Sequence, residues 1–394
     1  MSVSRIGERE REYVLEVLDS QFRTSSCGHM NQRLEKAFAH RFSRRFAIAF
    51  VNGTATLHAA LVAAGVGRGD EVIVPPLTMS STSFAVLQAG ATPVFADIDP
   101  LTWTISPESV LKGLSERTKA IIPVALYGLA PDLDRLMDIS KQHDLFLLED
   151  DAQCFLGYCH GRIVGSVGHA SSFSFQSSKH MTSGEGGMVI TDDERLADRI
   201  RAFNSLGYAA VRANQGKITK ETIQDPQYER HASVGYNYRM PELCAAVALA
   251  QLERLDELVE IRTRAAKAYA QAAEGCSWLI PQSVQDGFKH AYWTYVLKLS
   301  PDVPFSWYDF RQKYVELGGD GMYAAWQLTY LEPALRGVRF SSDQSQDYGP
   351  GLCPVAESIQ PYLLQLKTNY FTEDSILHQA EMLAATILYF SHKG

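Results

Sequence analysis

One lysine, Lys179, lies among small polar residues and is followed closely by the glycines of residues 184–187. An apolar run at 145–148 precedes it and ends in two carboxylates, Glu149 and Asp150. A lysine amine can bind an aldehyde covalently, and an anion at a strand end can hold a protonated ring nitrogen. Pyridoxal 5′-phosphate (PLP) requires both groups, so this stretch is predicted to bind PLP, with Lys179 and Asp150 as its reactive residues.

A possible phosphate site lies earlier in the chain. An apolar run at 46–51 is followed by Asn52, Gly53 and Thr54, and then by a strongly helical run at 57–64. A turn between a strand and a helix offers free backbone N–H groups and the positive end of the helix to an anion. The same residues also make a good helix N-cap. The turn alone therefore leaves both interpretations open.

These residues must be positioned by a larger sheet. Apolar runs alternate with helical patterns through the first half of the chain, which is typical of a parallel sheet covered on both faces. The pattern predicts strands at 46–51, 71–76, 92–99, 120–128, 145–148 and 187–191, and helices at 131–142, 192–201 and 241–258. Ligands of such folds bind at the carboxyl ends of the strands. Residues 52–54, Tyr127 and Asp150 all follow or end predicted strands, so we expect one shared site.

The remaining stretches suggest that the chain has two domains. Residues 209–232 are polar and are predicted to form a long loop, and residues 24–28 to form a turn between two helices. Beyond residue 273 the composition is mixed, with an alternating strand at 291–299 and helices at 308–317 and 372–390. We therefore predict a large α/β domain over residues 1–255 and a smaller α+β domain over residues 256–394.

Composition restricts the classes of protein. The chain has 394 residues, 46% of them hydrophobic, and a net charge of −8 without a long basic run, so a nucleic-acid partner is not expected. No run reaches the roughly 18 apolar residues of a membrane span, and the polar start does not read as a secretory signal. The six cysteines show neither a disulfide framework nor a zinc pattern, so no metal is expected. The compartment is predicted to be the cytoplasm.

The motifs resemble those of the DegT family of sugar aminotransferases, which are fold-type I PLP enzymes. That family carries roughly Glu-Asp-Ala-Ala-Gln, then Ser-Phe-Ser-Phe-x-x-x-Lys, then Gly-Glu-Gly-Gly. This chain has Glu-Asp-Asp-Ala-Gln at 149–153, Ser-Phe-Ser-Phe at 172–175 before Lys179, and Gly-Glu-Gly-Gly at 184–187. The resemblance extends from about residue 7 to about residue 387. It implies the fold-type I architecture, with a mainly parallel sheet.

The resemblance also implies roles for individual residues. Lys179 would bind the PLP aldehyde and move a proton between the substrate carbon and C4′ of the cofactor, while Asp150 would pair with the pyridine nitrogen. Gln153 would touch the ring or its O3′ atom. Many members stack an aromatic residue on the ring at the position of Met79, where a methionine would instead lie against the ring through its polarisable sulfur. The phosphate would bind Gly53, Thr54, Ala55 and Ser174, and also Asn237 of a neighbouring subunit in a homodimer.

The implied reaction is transfer of an amino group from glutamate or glutamine to a keto-sugar, expected to be nucleotide-linked, for surface polysaccharides or secondary metabolites. Three alternatives stay open. Some members replace the lysine by histidine and are keto-sugar dehydratases; here His180 follows the lysine, but the spacing to Gly184 favours Lys179. A binding protein without turnover is another possibility. A small phosphorylated ketone could also be the acceptor, because the family's Tyr-x-Pro-Leu-His motif is replaced by residues 318–326.

Overall fold

The computed structural model describes residues 4–22, 30–214, 218–338 and 348–392. Its helices are α1 (Glu8–Asp19), α2 (Met30–Arg41), α3 (Gly53–Ala63), α4 (Ser81–Gln88), α5 (Pro107–Gly113), α6 (Leu133–Gln142), α7 (Glu194–Asn204), α8 (Lys220–Gln224), α9 (Glu242–Glu253), α10 (Leu255–Ala272), α11 (Trp307–Glu316), α12 (Pro354–Ile359) and α13 (Glu373–Ser391). Its strands are β1 (Phe46–Phe50), β2 (Glu71–Val74), β3 (Thr92–Phe95), β4 (Thr118–Ile121), β5 (Phe146–Asp150), β6 (Tyr158–Cys159), β7 (Arg162–Ile163), β8 (Ala170–Ser174), β9 (Gly187–Thr191), β10 (Leu279–Pro281), β11 (Phe288–Lys289), β12 (Thr294–Leu299), β13 (Tyr323–Ala324) and β14 (Leu363–Lys367).

A seven-stranded sheet forms the centre of the molecule, in the order β1-β9-β8-β5-β4-β2-β3. Strand β9 runs antiparallel to both of its neighbours, and the remaining contacts, from β8 to β3, are parallel. All five residues of β1 are buried, as expected for a strand covered on both faces. The architecture confirms the predicted fold class, a mainly parallel sheet between helices.

The two faces of this sheet hold separate apolar clusters. Helices α3 and α4 cover one face, where Leu57 and Val86 join Val189 of β9. Near β1, β9 and β8, helices α2 and α9 cover the other face, and Phe38 packs there against Phe173. Within β9, Val189 enters the first cluster and its neighbour Met188 enters the second, which is the two-residue period of a β-strand.

A second, antiparallel sheet lies in the C-terminal part, in the order β10-β12-β14-β13. Its apolar face packs against α10, α11 and α13. Part of the same region packs instead on the central sheet, since Leu328, Tyr330 and Ile359 belong to the large cluster there. The division between residues 255 and 256 falls at the start of α10 and stays a prediction.

Several predicted boundaries were wrong because tertiary contacts override the local pattern. The predicted helix at 241–258 is interrupted at Arg254 (φ −117°, ψ 21°), whose guanidinium donates to the carbonyl of Ser4 at 2.7 Å. The predicted strand at 120–128 ends at Ile121, and Leu126–Gly128 form a 3₁₀ turn in which Tyr127 has φ +61°. The predicted loop at 209–232 contains the short helix α8. The predicted turn at 24–28 lies outside the described residues.

Candidate active site

Asp150 ends β5 and is buried at the carboxyl edge of the central sheet. Its Oδ2 atom accepts a hydrogen bond from Thr82 Oγ1 at 2.8 Å, and its Oδ1 atom accepts one from the Ala152 N–H at 3.3 Å. Burial raises the pKa of Asp150, while these donors and the charge of Lys179 act to lower it. A buried carboxylate with this few donors can accept a further cationic partner, such as a protonated ring nitrogen.

Lys179 lies in the loop between β8 and β9. The loop is closed by a turn from the Lys179 N–H to the Gln176 carbonyl at 2.9 Å and by a β-bridge between Gln176 and Gly184. Gly184 has φ +81°, a conformation that favours glycine. Desolvation, aided by the charge of Arg262, lowers the pKa of Lys179 to about 8, although Asp150 opposes this. The amine can therefore lose its proton near neutral pH and act as a nucleophile or base.

A buried arginine, Arg262 of α10, fixes the backbone of this loop. Its Nη2 atom donates to the carbonyls of Ser178 and Lys179, both at 2.8 Å. Its Nη1 atom donates to the Trp293 carbonyl at 2.8 Å and to Thr368 Oγ1 at 3.2 Å. The Trp293 ring in turn lies beside the lysine, with Lys179 Nζ 4.4 Å from the ring centre. The C-terminal part of the chain thus holds the backbone of the Lys179 loop in place.

The predicted phosphate turn is the start of α3. Asn52 caps this helix, because its Oδ1 atom accepts a hydrogen bond from the Ala55 N–H at 2.8 Å. Gly53 approaches Ser174, at the end of β8, so closely that an added Cβ atom would lie 2.9 Å from Ser174 Cβ. The structure therefore brings Gly53, Thr54 and Ser174 together. Since Asn52 already occupies the Ala55 N–H, the N–H groups of Gly53 and Thr54 are the better anion donors.

Two further predicted residues border the site. Gln153 is buried, and its Oε1 atom accepts a hydrogen bond from the Tyr127 N–H at 2.8 Å, which leaves its amide N–H groups for other partners. Met79 stands just before α4 with 48% of its side chain exposed. Asn237 is exposed and lies in a segment that is bonded to the end of β1, where the Val51 N–H donates to the Tyr238 carbonyl. Asn237 is thus open to a neighbouring molecule.

Comparison with known proteins assigns the family. Residues 4–374 match the model of the DegT/DnrJ/EryC1/StrS aminotransferase family. This chain belongs to that family. It is 39% identical over 298 residues to the spore coat polysaccharide biosynthesis protein SpsC of Bacillus subtilis (strain 168), covering 76% of this chain and 75% of that protein. It is also 39% identical over 285 residues to GDP-perosamine synthase of Escherichia coli O157:H7, covering 72% and 73%.

A solved structure agrees over the whole chain. The aminotransferase from Psychrobacter cryohalolentis superposes with a TM-score of 0.87 at 32% identity and covers 99% of both chains. As a member of the DegT/DnrJ/EryC1/StrS family, this protein is an aminotransferase that depends on PLP. The predicted cofactor and reaction type are therefore confirmed.

The residues of this family member fit the cofactor. A lysine amine, a buried carboxylate and a helix N-terminus meet at one edge of the sheet, and these suit the aldehyde, the ring nitrogen and the phosphate in turn. Among the described residues, the buried hydroxyls of Thr78, Ser83 and Tyr127 have no hydrogen-bond partner. Buried hydroxyls are normally paired. Thr78 and Ser83 flank the start of α4, so this region retains polar capacity for a bound ligand.

His180, the neighbour of the lysine, has a structural environment. It is buried beside Phe155, and its Nε2 atom donates to the Ala291 carbonyl at 2.8 Å. Desolvation and the charge of Arg262 hold the pKa of His180 well below its usual value, so the ring stays neutral. A neutral ring whose N–H is already bonded to a carbonyl is poorly suited to exchange protons near pH 7. The geometry therefore favours Lys179 over His180 as the reactive residue.

One group of potential metal ligands lies outside this site. The ligand atoms of Asp132, Cys159 and His160 are within 4.8 Å of one another, a grouping that the sequence spacing did not predict. Asp132 also caps α6 by accepting from the Arg135 N–H. Burial raises the pKa of the Cys159 thiol to about 11, which disfavours the thiolate that binds metal. No helix among the described residues has the length and apolar character needed to cross a membrane.

Proposed function

We propose that this aminotransferase moves the amino group of glutamate or glutamine to a keto-sugar that is linked to a nucleotide. The placement of Lys179 carries the proposal, because its amine has a pKa lowered to about 8 and interacts with the buried Asp150. The similarity to a GDP-perosamine synthase supports a nucleotide-linked sugar as acceptor. The product would serve surface polysaccharide or secondary-metabolite synthesis.

Each residue has a proposed part in the reaction. When bound, PLP supplies an electron sink for the carbon that loses its proton. Lys179 accepts and returns that proton, since its amine loses a proton more easily than that of an exposed lysine. Asp150 keeps the ring nitrogen protonated, and Thr82 holds the carboxylate in position. Gly53, Thr54 and Ser174 bind the phosphate. The N–H of Ala55 is bonded to Asn52, so Ala55 contributes only as part of the positive N-terminus of α3. Gln153 and Met79 contact the ring.

We further propose a homodimer with a shared site. Asn237 is exposed in the single chain, as a residue that serves a neighbouring subunit must be. Its amide would donate to the phosphate bound at Gly53 and Thr54 of the partner. The proposed compartment is the cytoplasm, where amino acids and nucleotide sugars are both available.

The test is the visible spectrum of the PLP-loaded protein before and after excess glutamate or glutamine. The wild-type protein should convert to the pyridoxamine phosphate form. The Lys179→Ala variant should react about 10²–10⁴ times more slowly, since it lacks the proton-transfer group. Lys141→Ala, on the exposed side of α6, is the control and should behave as wild type. A wild-type spectrum unchanged by both donors would contradict the proposed donors. A Lys179→Ala variant that turns over keto-sugar at the wild-type rate would contradict the role of the lysine.

A further inference from the structure

The indole ring of Trp293 is in direct contact with the amine of Lys179. The Nζ atom lies over the face of the ring, 4.4 Å from its centre. A cation at this distance is attracted by the negative charge of the π-system, and tryptophan makes the strongest contact of this kind among the aromatic side chains. Because the attraction is electrostatic, it is far stronger for the ammonium form than for the neutral amine. The contact can therefore both hold the lysine side chain and favour its protonation.

Three hydrogen bonds fix the position of this ring. The indole N–H of Trp293 donates to the carbonyl of Ser178, one residue before the lysine, at 3.0 Å. The Trp293 carbonyl accepts from Arg262 Nη1 at 2.8 Å and from Thr368 Oγ1 at 2.9 Å. The ring is thus tied to the backbone of the lysine loop and not only to the lysine side chain. Its face is held at the amine whether or not the amine carries a charge.

Several charged groups also act on the amine. The carboxylates of Asp150, on β5, and Glu185, in the same loop, raise the pKa of the lysine, whereas Arg262 of α10 lowers it. The adjacent His180 is held neutral and adds no charge. Asp150 is proposed to pair with the ring nitrogen of the cofactor, which takes up much of its negative charge. The indole face and Glu185 then remain to favour the ammonium group.

We propose that Trp293 is a positioning residue that holds the protonated amine of Lys179 against its indole face whenever that amine is not bonded to the cofactor. The lysine must accept a proton from the substrate carbon and return it, so its charged form has to be stabilised in a site that desolvates it. The side chain is partly exposed, and the contact keeps the charged amine from turning into the solvent. The inference rests on the proposed role of Lys179 in proton transfer.

The test replaces Trp293 by 5-fluoro-, 5,7-difluoro- and 5,6,7-trifluorotryptophan through site-specific incorporation. Fluorine withdraws charge from the ring face but keeps the ring, its shape and its N–H donor. The rate of PLP uptake by the apoprotein is followed by absorbance from pH 6 to pH 9, because the neutral amine is the form that reacts. The pH midpoint of the rate increase should fall with each added fluorine. The fall should reach about half a pH unit in all, as expected for the loss of one partly exposed contact of this kind.

The matched control is trifluorotryptophan at position 278. Trp278 packs against Phe305 and Phe310, away from the lysine, so its replacement should leave the midpoint of PLP uptake at the wild-type value. A ring that serves packing alone does not change the charge of the lysine when its own charge distribution is altered. A midpoint that stays constant or rises with fluorination at position 293 would therefore overturn the proposal.

Borohydride reduction of the PLP-loaded wild-type protein, followed by peptide mass spectrometry, separates this outcome from failure of the proposed function. PLP should be found on Lys179. If it is found there and the midpoint does not respond to fluorination, the role of Trp293 is wrong and that of the lysine stands. PLP on another residue, or a wild-type protein that reacts with neither donor, would instead contradict the proposed function itself.

Discussion

At the scale of single residues, three consecutive buried carboxylates have three different environments. Glu149 accepts hydrogen bonds from the N–H groups of Gly165, Val167 and Gly168, and it lies 3.9 Å from Arg44. Asp150 accepts hydrogen bonds from the Thr82 hydroxyl and the Ala152 N–H. The Asp151 carboxyl accepts a hydrogen bond from the Ser171 hydroxyl, and burial together with the charge of Glu149 raises its pKa well above the usual range. This environment favours the neutral acid form of Asp151, whereas the hydrogen bonds from Thr82 and Ala152 favour the charged form of Asp150.

This environment predicts a pH effect on stability. Above about pH 4 the unfolded chain loses the proton of Asp151, whereas the raised pKa lets the folded chain keep it to a higher pH. Folding must then take up a proton, so the contribution of Asp151 to stability falls as the pH rises. Asp151→Asn removes this dependence. It should raise the free energy of unfolding at pH 8, and this increase should exceed the change at pH 4 by on the order of 1 kcal/mol. The measurement is urea unfolding of the apoprotein at both pH values.

The control for this experiment is Asp286→Asn, an exposed carboxylate. It should shift the two unfolding curves equally. If wild type and Asp151→Asn lose stability in parallel between pH 4 and pH 8, Asp151 is ionised in the folded protein and the interpretation is wrong.

At the scale of elements, α10 controls the loop between β8 and β9 through one side chain. Arg262 has no carboxylate partner among the described residues, and its forked donors bond to backbone carbonyls on the lysine loop and beside β12. Burial lowers the pKa of Arg262 to about 9, which leaves the guanidinium charged at neutral pH. A fixed positive charge next to Lys179 favours the neutral amine. Arg262 therefore both positions the loop and tunes its lysine.

We expect Arg262→Met to slow the uptake of PLP at pH 7 several-fold. Loss of the Arg262 charge raises the pKa of Lys179, so less neutral amine is present at pH 7. The increase in uptake rate with pH should therefore occur at a higher pH than in the wild type. Arg262→Lys keeps the charge but cannot form the fork, so its pH dependence should stay closer to wild type. Both variants should lose roughly 1–3 kcal/mol of stability because buried carbonyls lose their donors. Absorbance during PLP uptake across pH 6–9 measures the effect.

Arg264→Met is the matched control, since Arg264 is on the same helix but pairs with Glu373 of α13. Its PLP uptake should follow the wild-type pH dependence. A pH dependence unchanged in Arg262→Met would limit Arg262 to a structural role.

The sequence was most informative where the residues of a single element are enough to predict whether that element is buried. Strands buried on both faces, such as β1 and β9, are continuous apolar runs, and the residues at their ends could be placed at one edge. Lys179 and Asp150 could be proposed as site residues because each stands in a distinctive local context. Thr82, Arg262 and Trp293 were missed, since a threonine, an arginine on a helix and a strand tryptophan carry no local signal. Their roles follow from contacts between segments far apart in sequence.

The same reason explains the misplaced boundaries. Nothing in the local pattern marks Arg254 as the end of α9, because apolar spacing continues through α10; the interruption coincides with its bond to Ser4. Tyr127 is likewise an ordinary strand former that adopts φ +61° in a turn next to Gly128. An added Cβ atom at Gly128 would lie 2.6 Å from the Tyr292 N atom, so packing between distant segments fixes this turn.

At the scale of the whole molecule, the proposed homodimer makes a prediction about mixed subunits. If Asn237 serves the partner's site, a Lys179→Ala chain and an Asn237→Asp chain can form a hybrid with one intact site. Refolding the two inactive variants together in equal amounts should restore about a quarter of the wild-type activity, because half of the dimers are hybrids and each has one good site of two. The aspartate is chosen because its charge repels phosphate.

Each variant refolded alone serves as the control for the mixture. Activity equal only to the sum of the two separate variants would show that each site is built from one chain. Analytical ultracentrifugation of the mixture confirms that the subunits associate.

The position of β9 in the central sheet also affects how the chain is made. Among the described residues, β1 pairs with β9, and Phe50 also forms a bridge with Arg239. The backbone of β1 therefore has no strand partner until residues 187–191 have been synthesised. At the usual rate of synthesis this interval lasts on the order of ten seconds. During that time an apolar, unpaired strand emerges from the ribosome with a high tendency to associate with other chains. Ribosome-bound chains that end just before β9 should therefore bind chaperones more strongly than chains that extend past it. The five residues of β1 are thus predicted to need protection from association until β9 has been synthesised.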